Sequence, residues 1–560
     1  MAKRRQGHKA SKYDQPLFPE LEEEIKDYEE TLAAVKSREL QIRTSVNILS
    51  DFQTPPNFPP IILPNRWEAL QAEASKRKVP LKPLITPVRD AIMGLKREIR
   101  RVQETGTGKL FIISGVTGSG KTTFLNSLQL FIDGIGVHNI KLMTIDRRET
   151  VENALATLRR EQDKISIIVL EGKETPGSFK NEEIDILLTT LNMDFRRDVG
   201  RRTIFVIPTT SSVVAQQVSE RAASIGGMTS LDKPFYVFNG PPRNEYINIT
   251  NNTLRALNES RTLLDYGVTD EIAKDLAESA SSIGAFMGSC YNEITRQRDS
   301  LEQFAAPISR KRIHLWMIFC SMEENSRRND DIIRSLTVGD LQHVQVRRVL
   351  TGDSKEVRFW ESRKETFGII ADYLDLRIMY LPLRTANAIV TAYGHKELLE
   401  YLKALTSEEG GPVIKREAVR ARAQESLTNT AIGAFLRGEG FIDRDPSKRG
   451  NLGPKQQELF KEIVKLAIKD DKALNGAIAA TLRDWLKEPG FRIATEVPLN
   501  ETSSLITDIA VITDTDIYCL EIKWRSSLLN ESDVIRETTG RISEFARELP
   551  ELNMLLGSLE

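Results

Sequence analysis

The sequence of 560 residues contains few cysteines and histidines, the residues that form disulfide bonds or bind zinc. It has only three cysteines, Cys290, Cys320 and Cys519, and none of them belongs to a Cys-x-x-Cys pair. This argues against a disulfide framework and against a cysteine zinc site, and is typical of a reducing compartment. The five histidines are scattered without metal-ligand spacing. Apolar runs of ~18 residues and signal-peptide patterns are both missing, so we expect a cytoplasmic protein without a membrane span.

The chain also lacks an overall charge. Its formal net charge of −1 gives no global attraction to nucleic acid or to membranes, so any such attraction must come from local patches. Basic residues cluster in the first dozen positions and again within 415–422. Both clusters could contact phosphates, but each is better explained as a solvated surface.

Shifts in composition divide the chain into five parts. Residues 1–60 form a basic tail, an amphipathic helix and a proline-rich linker. In 61–300, strand-like runs alternate with helical patterns, which predicts a mostly parallel sheet with helices on both faces. Residues 301–405 are mixed and predict no particular fold, and 406–454 form a basic linker region. Residues 455–560 read as a helix, three strands and a helix. Strands of the first sheet are expected at 110–114, 140–145, 165–170, 203–207 and 234–238.

The most specific motif is the run Gly-Val-Thr-Gly-Ser-Gly-Lys-Thr at residues 115–122, between an apolar strand and an apolar helix. The glycines allow backbone N–H groups to face phosphates together with the helix N-terminus. Lys121 would reach the β and γ oxygens, and the Thr122 hydroxyl would coordinate Mg²⁺. No Asn-Lys-x-Asp motif is present to read guanine, so we predict ATP with Mg²⁺. The predicted nucleotide-binding residues are Gly115, Gly118, Ser119, Gly120, Lys121, Thr122 and Thr123.

Two further strands end in polar residues. Glu171 follows the strand 165–170, and Thr210 follows the strand 203–207. With the loop and the helical sequence around 276–284, these features resemble the AAA+ ATPase family over about residues 90–300, in particular its initiator-like and transposition-regulator-like members. The resemblance implies an α/β fold, a P-loop domain with a helical lid. Glu171 would hold Mg²⁺ and act in catalysis, and Thr210 would sense the γ-phosphate.

The same resemblance implies self-association into a ring or filament. Arg221 would then act as an arginine finger on a neighbouring subunit, although an exposed helix arginine explains it equally well. Three other arginines, Arg197, Arg201 and Arg202, compete for this role.

The sequence departs from the AAA+ pattern at two places. Glu171 is followed by glycine where the family usually has Asp-Glu, so Glu171 serves one role or both, or Glu174 supplies the base. The arginine often found in the lid is absent from 285–287. Both departures predict slow hydrolysis, which suits a switch better than a fast motor.

A second constellation lies near the C-terminus. Two apolar runs flank the turn at Asp514 and Thr515, which predicts a β-hairpin. Its symmetric register puts Asp508 opposite Glu521, with Cβ atoms ~5 Å apart, an arrangement that favours a cation between the two carboxylates. Lys523 projects from the same face as Glu521. Two carboxylates and a lysine on one face predict a Mg²⁺-dependent phosphodiester hydrolase, with Asp508 and Glu521 as metal ligands.

This constellation resembles the PD-(D/E)xK nuclease superfamily over about residues 455–556. The resemblance implies a C-terminal α/β nuclease-like domain in which Asp508, Glu521 and Lys523 are catalytic. An inactive binding fold and a chance set of surface acids remain alternatives. The upstream helix offers no clear acid where many members have one, so Glu496 could substitute. The closing strand would have to be short, at 553–556.

Three functions follow from these modules. The first is a nucleotide-gated DNA endonuclease, a pairing found by family analogy in bacterial defence and mobile-element proteins. The second is an ATP-dependent DNA-binding regulator or loader whose nuclease-like domain only binds. The third is a signalling ATPase that senses a protein partner.

Overall fold

The computed structural model describes most of the chain after the proline-rich segment. The described residues are 58–141, 164–172, 181–197, 200–226, 234–305, 311–323, 328–396, 400, 416–441, 454–487, 490–498 and 505–557. The basic tail and N-terminal helix predicted within 1–60 lie outside them, as does Glu174. No helix within the described ranges combines the length and the apolarity needed to cross a bilayer.

The first sheet has five parallel strands in the order β2-β3-β4-β1-β5. They are β1 (Lys109–Ser114), β2 (Ile135–Lys141), β3 (Ile165–Glu171), β4 (Thr203–Thr209) and β5 (Tyr236–Val237). The parallel sheet predicted for this part of the chain is confirmed. Its interior strands β3 and β4 are mostly apolar and almost entirely buried, because both faces of the sheet are covered. The strand expected at 140–145 begins earlier, because the polar residues of β2 hide it from a hydrophobicity pattern.

Helices cover this sheet on both faces. On one face lie α2 (Arg89–Thr105) and α3 (Lys121–Ser127), which follow the short α1 (Trp67–Lys76). On the other face lie α4 (Asn181–Asp194) and α5 (Ser212–Ile225). Helix α2 buries apolar side chains at helical spacing and leaves its opposite face to solvent.

A helical lid follows β5, as the sequence predicts. It consists of α6 (Tyr246–Leu257), α7 (Asp270–Ser279) and α8 (Ile283–Ala305). These helices share a core of their own.

The second sheet has seven strands in the order β10-β11-β12-β6-β9-β8-β7. They are β6 (Arg312–Met322), β7 (Thr337–Val338), β8 (His343–Val344), β9 (Arg377–Tyr380), β10 (Arg492–Pro498), β11 (Ile506–Ile512) and β12 (Asp516–Leu528). Strand β12 pairs in parallel with β6 along most of its length. One sheet therefore joins 301–405 to 455–560, and the domain boundaries predicted between them are wrong. Strand pairing over such a long stretch of chain leaves no local pattern in the sequence.

This sheet also has a layer of helices on each face. One layer contains α13 (Leu383–Tyr393), α14 (Arg416–Thr428), α15 (Ala431–Leu436) and α16 (Pro454–Trp485). The other contains α9 (Arg328–Leu336), α10 (Val346–Val349), α11 (Lys355–Glu361), α12 (Lys364–Tyr373), α17 (Glu531–Glu548) and α18 (Pro550–Gly557). The closing strand predicted at 553–556 is wrong, since these residues belong to α18. The strand that lies beside β12 is β6.

Buried charges connect the lid to the second sheet's unit. Arg261 and Arg298 of the lid donate to the two oxygens of Asp372 at 2.6 and 2.7 Å. Arg261 also lies 2.6 Å from Nδ1 of His343. Burial, together with the nearby guanidinium of Arg261, lowers the pKa of His343 to about 3. Ion pairs with little exposure to water thus connect the lid to the second unit.

Candidate functional site

The glycine-rich loop lies at a switch point of the first sheet. Strand β1 is flanked by β4 and β5, both of which come later in the chain. The helix after β1 packs on one face and the helix after β4 packs on the other. The connections therefore diverge beyond the carboxyl ends of β1 and β4. In open parallel sheets this crevice is the usual ligand site.

The backbone of the loop requires its glycines. Gly118 and Gly120 have φ values of 77° and 91°, which side chains rarely tolerate. A Cβ on Gly118 would also lie only 2.7 Å from Oγ of Ser282 in the lid. The loop can thus keep this shape, pressed against the lid, only with glycine at Gly118.

Polar groups inside the loop suit a polyphosphate. Lys121 is only 5% exposed, and its Nζ donates to the carbonyl oxygens of Gly115 at 2.5 Å and Val116 at 3.2 Å. Oγ of Ser119 is buried without a hydrogen-bond partner, which costs free energy unless a further group completes it. A buried ammonium and an unsatisfied hydroxyl, at the start of α3, fit an anionic ligand.

A cavity of about 560 Å³ opens from the loop, a size typical of small-molecule sites. Thr210 and the loop residues 117–123 line its polar end. Apolar side chains that line it come from four separate segments and include Trp67, Leu70, Leu84, Ile85, Phe131, Ile249 and Met287. The contribution of residues 64–88 to this cavity was not predicted from the sequence. The available signal in the sequence was Trp67 and the apolar pair Leu84-Ile85, in a stretch with many charged residues.

The lid touches the phosphate loop directly. The backbone N–H of Gly284 donates to the carbonyl of Gly118 at 3.0 Å. A Cβ on Gly284 would lie 3.1 Å from the Cα and carbonyl oxygen of Gly118. The first turn of α8 therefore contacts the loop directly before positions 285–287, which lack the arginine often found in AAA+ lids.

The other residues predicted for this site lie at unequal distances from it. Thr210 follows β4, which neighbours β1, and it lines the cavity. Glu171 ends β3 at the same edge, but β4 separates its strand from β1, so the two strands lie ~10 Å apart. Glu171 is not one of the described residues that line the cavity.

The arginines predicted as finger candidates lie elsewhere. Arg221 on α5 forms an ion pair with Asp185 of α4, with 2.6 Å between Nη1 and Oδ1. Arg197, Arg201 and Arg202 precede β4 and lie at the amino end of the sheet, opposite the phosphate loop. This chain therefore brings none of these four to its own cavity.

The C-terminal hairpin forms with the predicted register. The pairs run from Ile509 opposite Leu520 to Ile512 opposite Ile517. Continuing this register puts Asp508 opposite Glu521. Oδ2 of Asp508 accepts a hydrogen bond of 2.7 Å from the backbone N–H of Ile522.

The acid pair is electrostatically strained. Burial, and next the charge of Glu521, raise the pKa of Asp508 to about 7. Glu521 is only 1% exposed, and Arg541 of α17 donates to its Oε1 at 2.7 Å. One guanidinium thus faces two carboxylates. Burial contributes most to the raised pKa of Asp508, and the charge of Glu521 adds to it against the opposing charges of Lys523 and Arg541.

This donor set fits a divalent cation. Carboxylate oxygens are the ligands that Mg²⁺ prefers, and a second positive charge would relieve the repulsion between Asp508 and Glu521. The described residues contain no group of three or more His, Cys, Asp or Glu side chains arranged for a metal. The pair would therefore hold Mg²⁺ with two protein carboxylates, and water would complete the coordination.

Lys523 lines an opening of about 350 Å³, and its positive charge is near enough to Asp508 to oppose the rise in the pKa of that carboxyl. Asp471 of α16 and Glu537 of α17 line the same opening, whereas Asp508 and Glu521 do not. The upstream helix thus supplies an acid near Lys523 that the sequence analysis missed. The proposed substitute, Glu496, instead forms an ion pair of 3.1 Å with Lys472.

Arg541 is the other functional residue that the sequence analysis missed. Its neighbours along one face of α17, among them Val534, Thr538 and Phe545, are buried. An arginine on an otherwise buried stripe was the available signal, because an unpaired charge there would be costly.

Comparison with known proteins gives no family. No protein-family model and no curated protein matches the chain. Among solved structures, Drosophila ORC bound to DNA is similar with 12% identity and a TM-score of 0.25, covering 67% of this chain and 88% of that one. The ORC2 protein of Aeropyrum pernix with ADPNP and ADP has 10% identity and a TM-score of 0.26, covering 81% and 93%. Likenesses at this level identify neither family nor activity, so the functional argument depends on the two sites themselves.

Proposed function

We propose that the chain is an ATP-binding protein of AAA+ type that acts on DNA. The observation that carries this proposal is the buried Lys121 within a glycine loop, at the switch point of a parallel sheet and beside a cavity of about 560 Å³. A polyphosphate fits the polar end of that cavity and an aromatic base fits its apolar end.

Each residue has a defined role in this proposal. The backbone N–H groups of the loop and the Lys121 ammonium bind the β- and γ-phosphates. The Thr122 hydroxyl holds Mg²⁺, which when bound neutralises the developing phosphate charge. Thr210 contacts the γ-phosphate, and Glu171 orients water or the metal's hydration shell. Because glycine follows Glu171 and β4 separates it from β1, we expect slow hydrolysis.

Replacing Lys121 tests this part of the proposal. Lys121→Ala removes the ammonium and should abolish binding of ATP·Mg²⁺ in isothermal titration calorimetry. Lys274→Ala, at an exposed position on α7, is the matched control and should bind as the wild type does. Unchanged affinity in Lys121→Ala would refute nucleotide binding at this loop.

We also propose that the second sheet carries a Mg²⁺-dependent phosphodiester hydrolase. The supporting observation is the register that faces Asp508 with Glu521, together with the raised pKa of Asp508. The two acids hold Mg²⁺, which when bound makes its water a better nucleophile. Lys523 stabilises the negative charge that develops on the attacked phosphate, and Asp471 completes the polar wall on the α16 side.

Plasmid cleavage with Mg²⁺ separates this proposal from its alternatives. Lys523→Ala should lose cleavage and keep DNA binding. Lys487→Ala, at an exposed position just after α16, should cut normally. If wild type retains DNA without cutting, the chain is a DNA-binding regulator whose nuclease-like domain only binds. If it retains no DNA in a gel shift with a non-hydrolysable nucleotide, the alternative of a protein-sensing ATPase is favoured.

The contacts of α8 support nucleotide control over the second unit. Its first turn bonds to the phosphate loop at Gly284, and Arg298 in the same helix bonds to Asp372 of the second unit. These positions are ~21 Å apart along one continuous helix, so a shift at the loop moves the ion pair. We place such a switch in the setting of bacterial defence or mobile elements, and assembly of several copies would bring Arg221 to a neighbour's site.

A further inference from the structure

The amino end of the first sheet carries a dense set of arginines that the proposed activities do not use. We call it the basic edge. It consists of Arg97, Arg100, Arg101, Lys109, Arg196, Arg197, Arg201 and Arg202. They belong to the C-terminal half of α2, the start of β1 and the segment between α4 and β4.

Tight backbone contacts hold these segments together. The N–H of Gly108 donates to the carbonyl of Phe195 at 3.2 Å. A Cβ on Gly108 would lie 2.2 Å from the carbonyl oxygen of Gly200, so only glycine allows this approach. The basic edge is therefore one surface, built from residues about a hundred positions apart.

Two residues of the basic edge, Arg101 and Arg197, form ion pairs with described acids. Glu98 pairs with Arg101 at 3.0 Å and Asp194 pairs with Arg197 at 3.8 Å, and both acids are themselves buried. Arg97, Arg100, Arg196 and Arg202 are exposed, and none of them has an ion pair with another described residue. The exposed acid on the same side of α2 is Glu104.

An uncompensated cluster of this kind suits an extended polyanion. Like charges held together repel one another and do not stabilise the fold, and a polyanion would relieve that repulsion. An arginine finger requires one guanidinium at a neighbour's phosphate, not four or more exposed ones. A nucleic-acid backbone offers one negative charge per ~1.7 Å of duplex, which a broad patch can match.

We propose that the basic edge binds the phosphate backbone of DNA without reading its sequence. This rests on the proposed DNA function and names the surface that serves it. DNA would then cross the end of the ATPase sheet that lies away from the nucleotide, ~20 Å from the phosphate loop along β4. Phosphate contacts of this type give affinity and position but no sequence preference.

The dependence of DNA affinity on salt tests this directly. Arg97→Gln, Arg100→Gln and Arg196→Gln together should lower the slope of log K against log[salt] by about 2.7, since each backbone contact contributes about 0.9. The ratio of wild-type to variant DNA affinity should then fall about 40-fold as the salt concentration rises from 50 to 200 mM. Duplexes of unrelated sequence should be affected equally.

A control variant separates the patch from net charge. Arg255→Gln, Lys274→Gln and Arg334→Gln remove three exposed charges scattered over α6, α7 and α9. This variant should keep the wild-type slope to within about one contact. Thermal midpoints and ATP affinity of both triple variants establish that folding and the nucleotide site are intact.

Each result has a distinct reading. If the wild type binds DNA and the Arg97/Arg100/Arg196 variant keeps the same slope, the proposal for the basic edge is refuted and the proposed DNA function stands. Absence of DNA binding by the wild type overturns the proposed DNA function as well. Arg201→Gln with Arg202→Gln should lower the slope by about a further 1.8. Loss of ATP hydrolysis in that double variant with no change of slope assigns these two arginines to a neighbour's nucleotide and contradicts the proposal for them.

Discussion

Replacing Asp508 by asparagine should stabilise the protein at high pH. Asparagine keeps an oxygen that accepts the N–H of Ile522, and it removes the charge that faces Glu521. The pKa of Asp508 is about 7 in the folded chain against an ordinary value of 3.8, so folding favours its protonated form. Its contribution to stability is therefore full below pH ~4 and is lost as the pH rises to ~7.

The size of the effect follows from that shift. A rise of about three pKa units corresponds to a loss of about 4 kcal/mol of stability at pH 8, and of about 2 kcal/mol at pH 5. Relaxation and water at a partly buried carboxyl reduce both values, so we expect Asp508→Asn to gain about 2 kcal/mol more at pH 8 than at pH 5.

Urea unfolding in EDTA measures this difference through tryptophan fluorescence. The second sheet's unit contains four of the chain's five tryptophans, namely Trp316, Trp360, Trp485 and Trp524. Asp514→Asn, the same change in the exposed hairpin turn, is the control and should shift the midpoint little at either pH. A gain in Asp508→Asn that does not grow between pH 5 and pH 8 refutes the strained acid pair. Adding Mg²⁺ at pH 8 should stabilise the wild type and not the variant.

Two other substitutions probe contacts that hold the sites. Arg541→Gln leaves the Glu521 carboxylate buried without its guanidinium and should cost about 3–5 kcal/mol in urea unfolding, and less than 1 kcal/mol would show that the ion pair is dispensable. Gly118→Ala adds a Cβ 2.7 Å from Oγ of Ser282 at a positive φ, and should weaken ATP binding at least tenfold in calorimetry. Gly134→Ala has a similar φ of 74° with nothing within 4 Å, so equal losses in both variants would attribute the effect to backbone strain alone.

The sequence allowed prediction where the determining residues are neighbours in the chain. The phosphate loop is one such case, because its strand, glycines, lysine and helix follow in order. The hairpin register was predictable for the same reason, since one turn at Asp514 sets the facing of Asp508 and Glu521. Both depend on local backbone geometry, which local residue types control.

Features that depend on distant pairing could not be predicted. Strand β6 pairs with β12 across almost the whole second unit, and neither strand's composition names its partner. The contact of Gly284 with Gly118 is likewise invisible, because a glycine at a helix start has many explanations. The sequence showed Arg541 only as a charged residue on a buried stripe of a helix. Its partner, Glu521, can be identified only from the folded structure.

The pairing of β12 with β6 has a consequence for synthesis. The hairpin that carries Asp508 and Glu521 leaves the ribosome well after β6, which precedes it in the chain. During that interval, the edge of β6 that will pair with β12 is unpaired. An exposed strand edge of this kind promotes aggregation unless a chaperone covers it. The acid pair, in turn, cannot be supported until the nucleotide unit and its lid have already been made. A fragment that begins near residue 455 should therefore be insoluble, with the exposed edge of β12 as the reason.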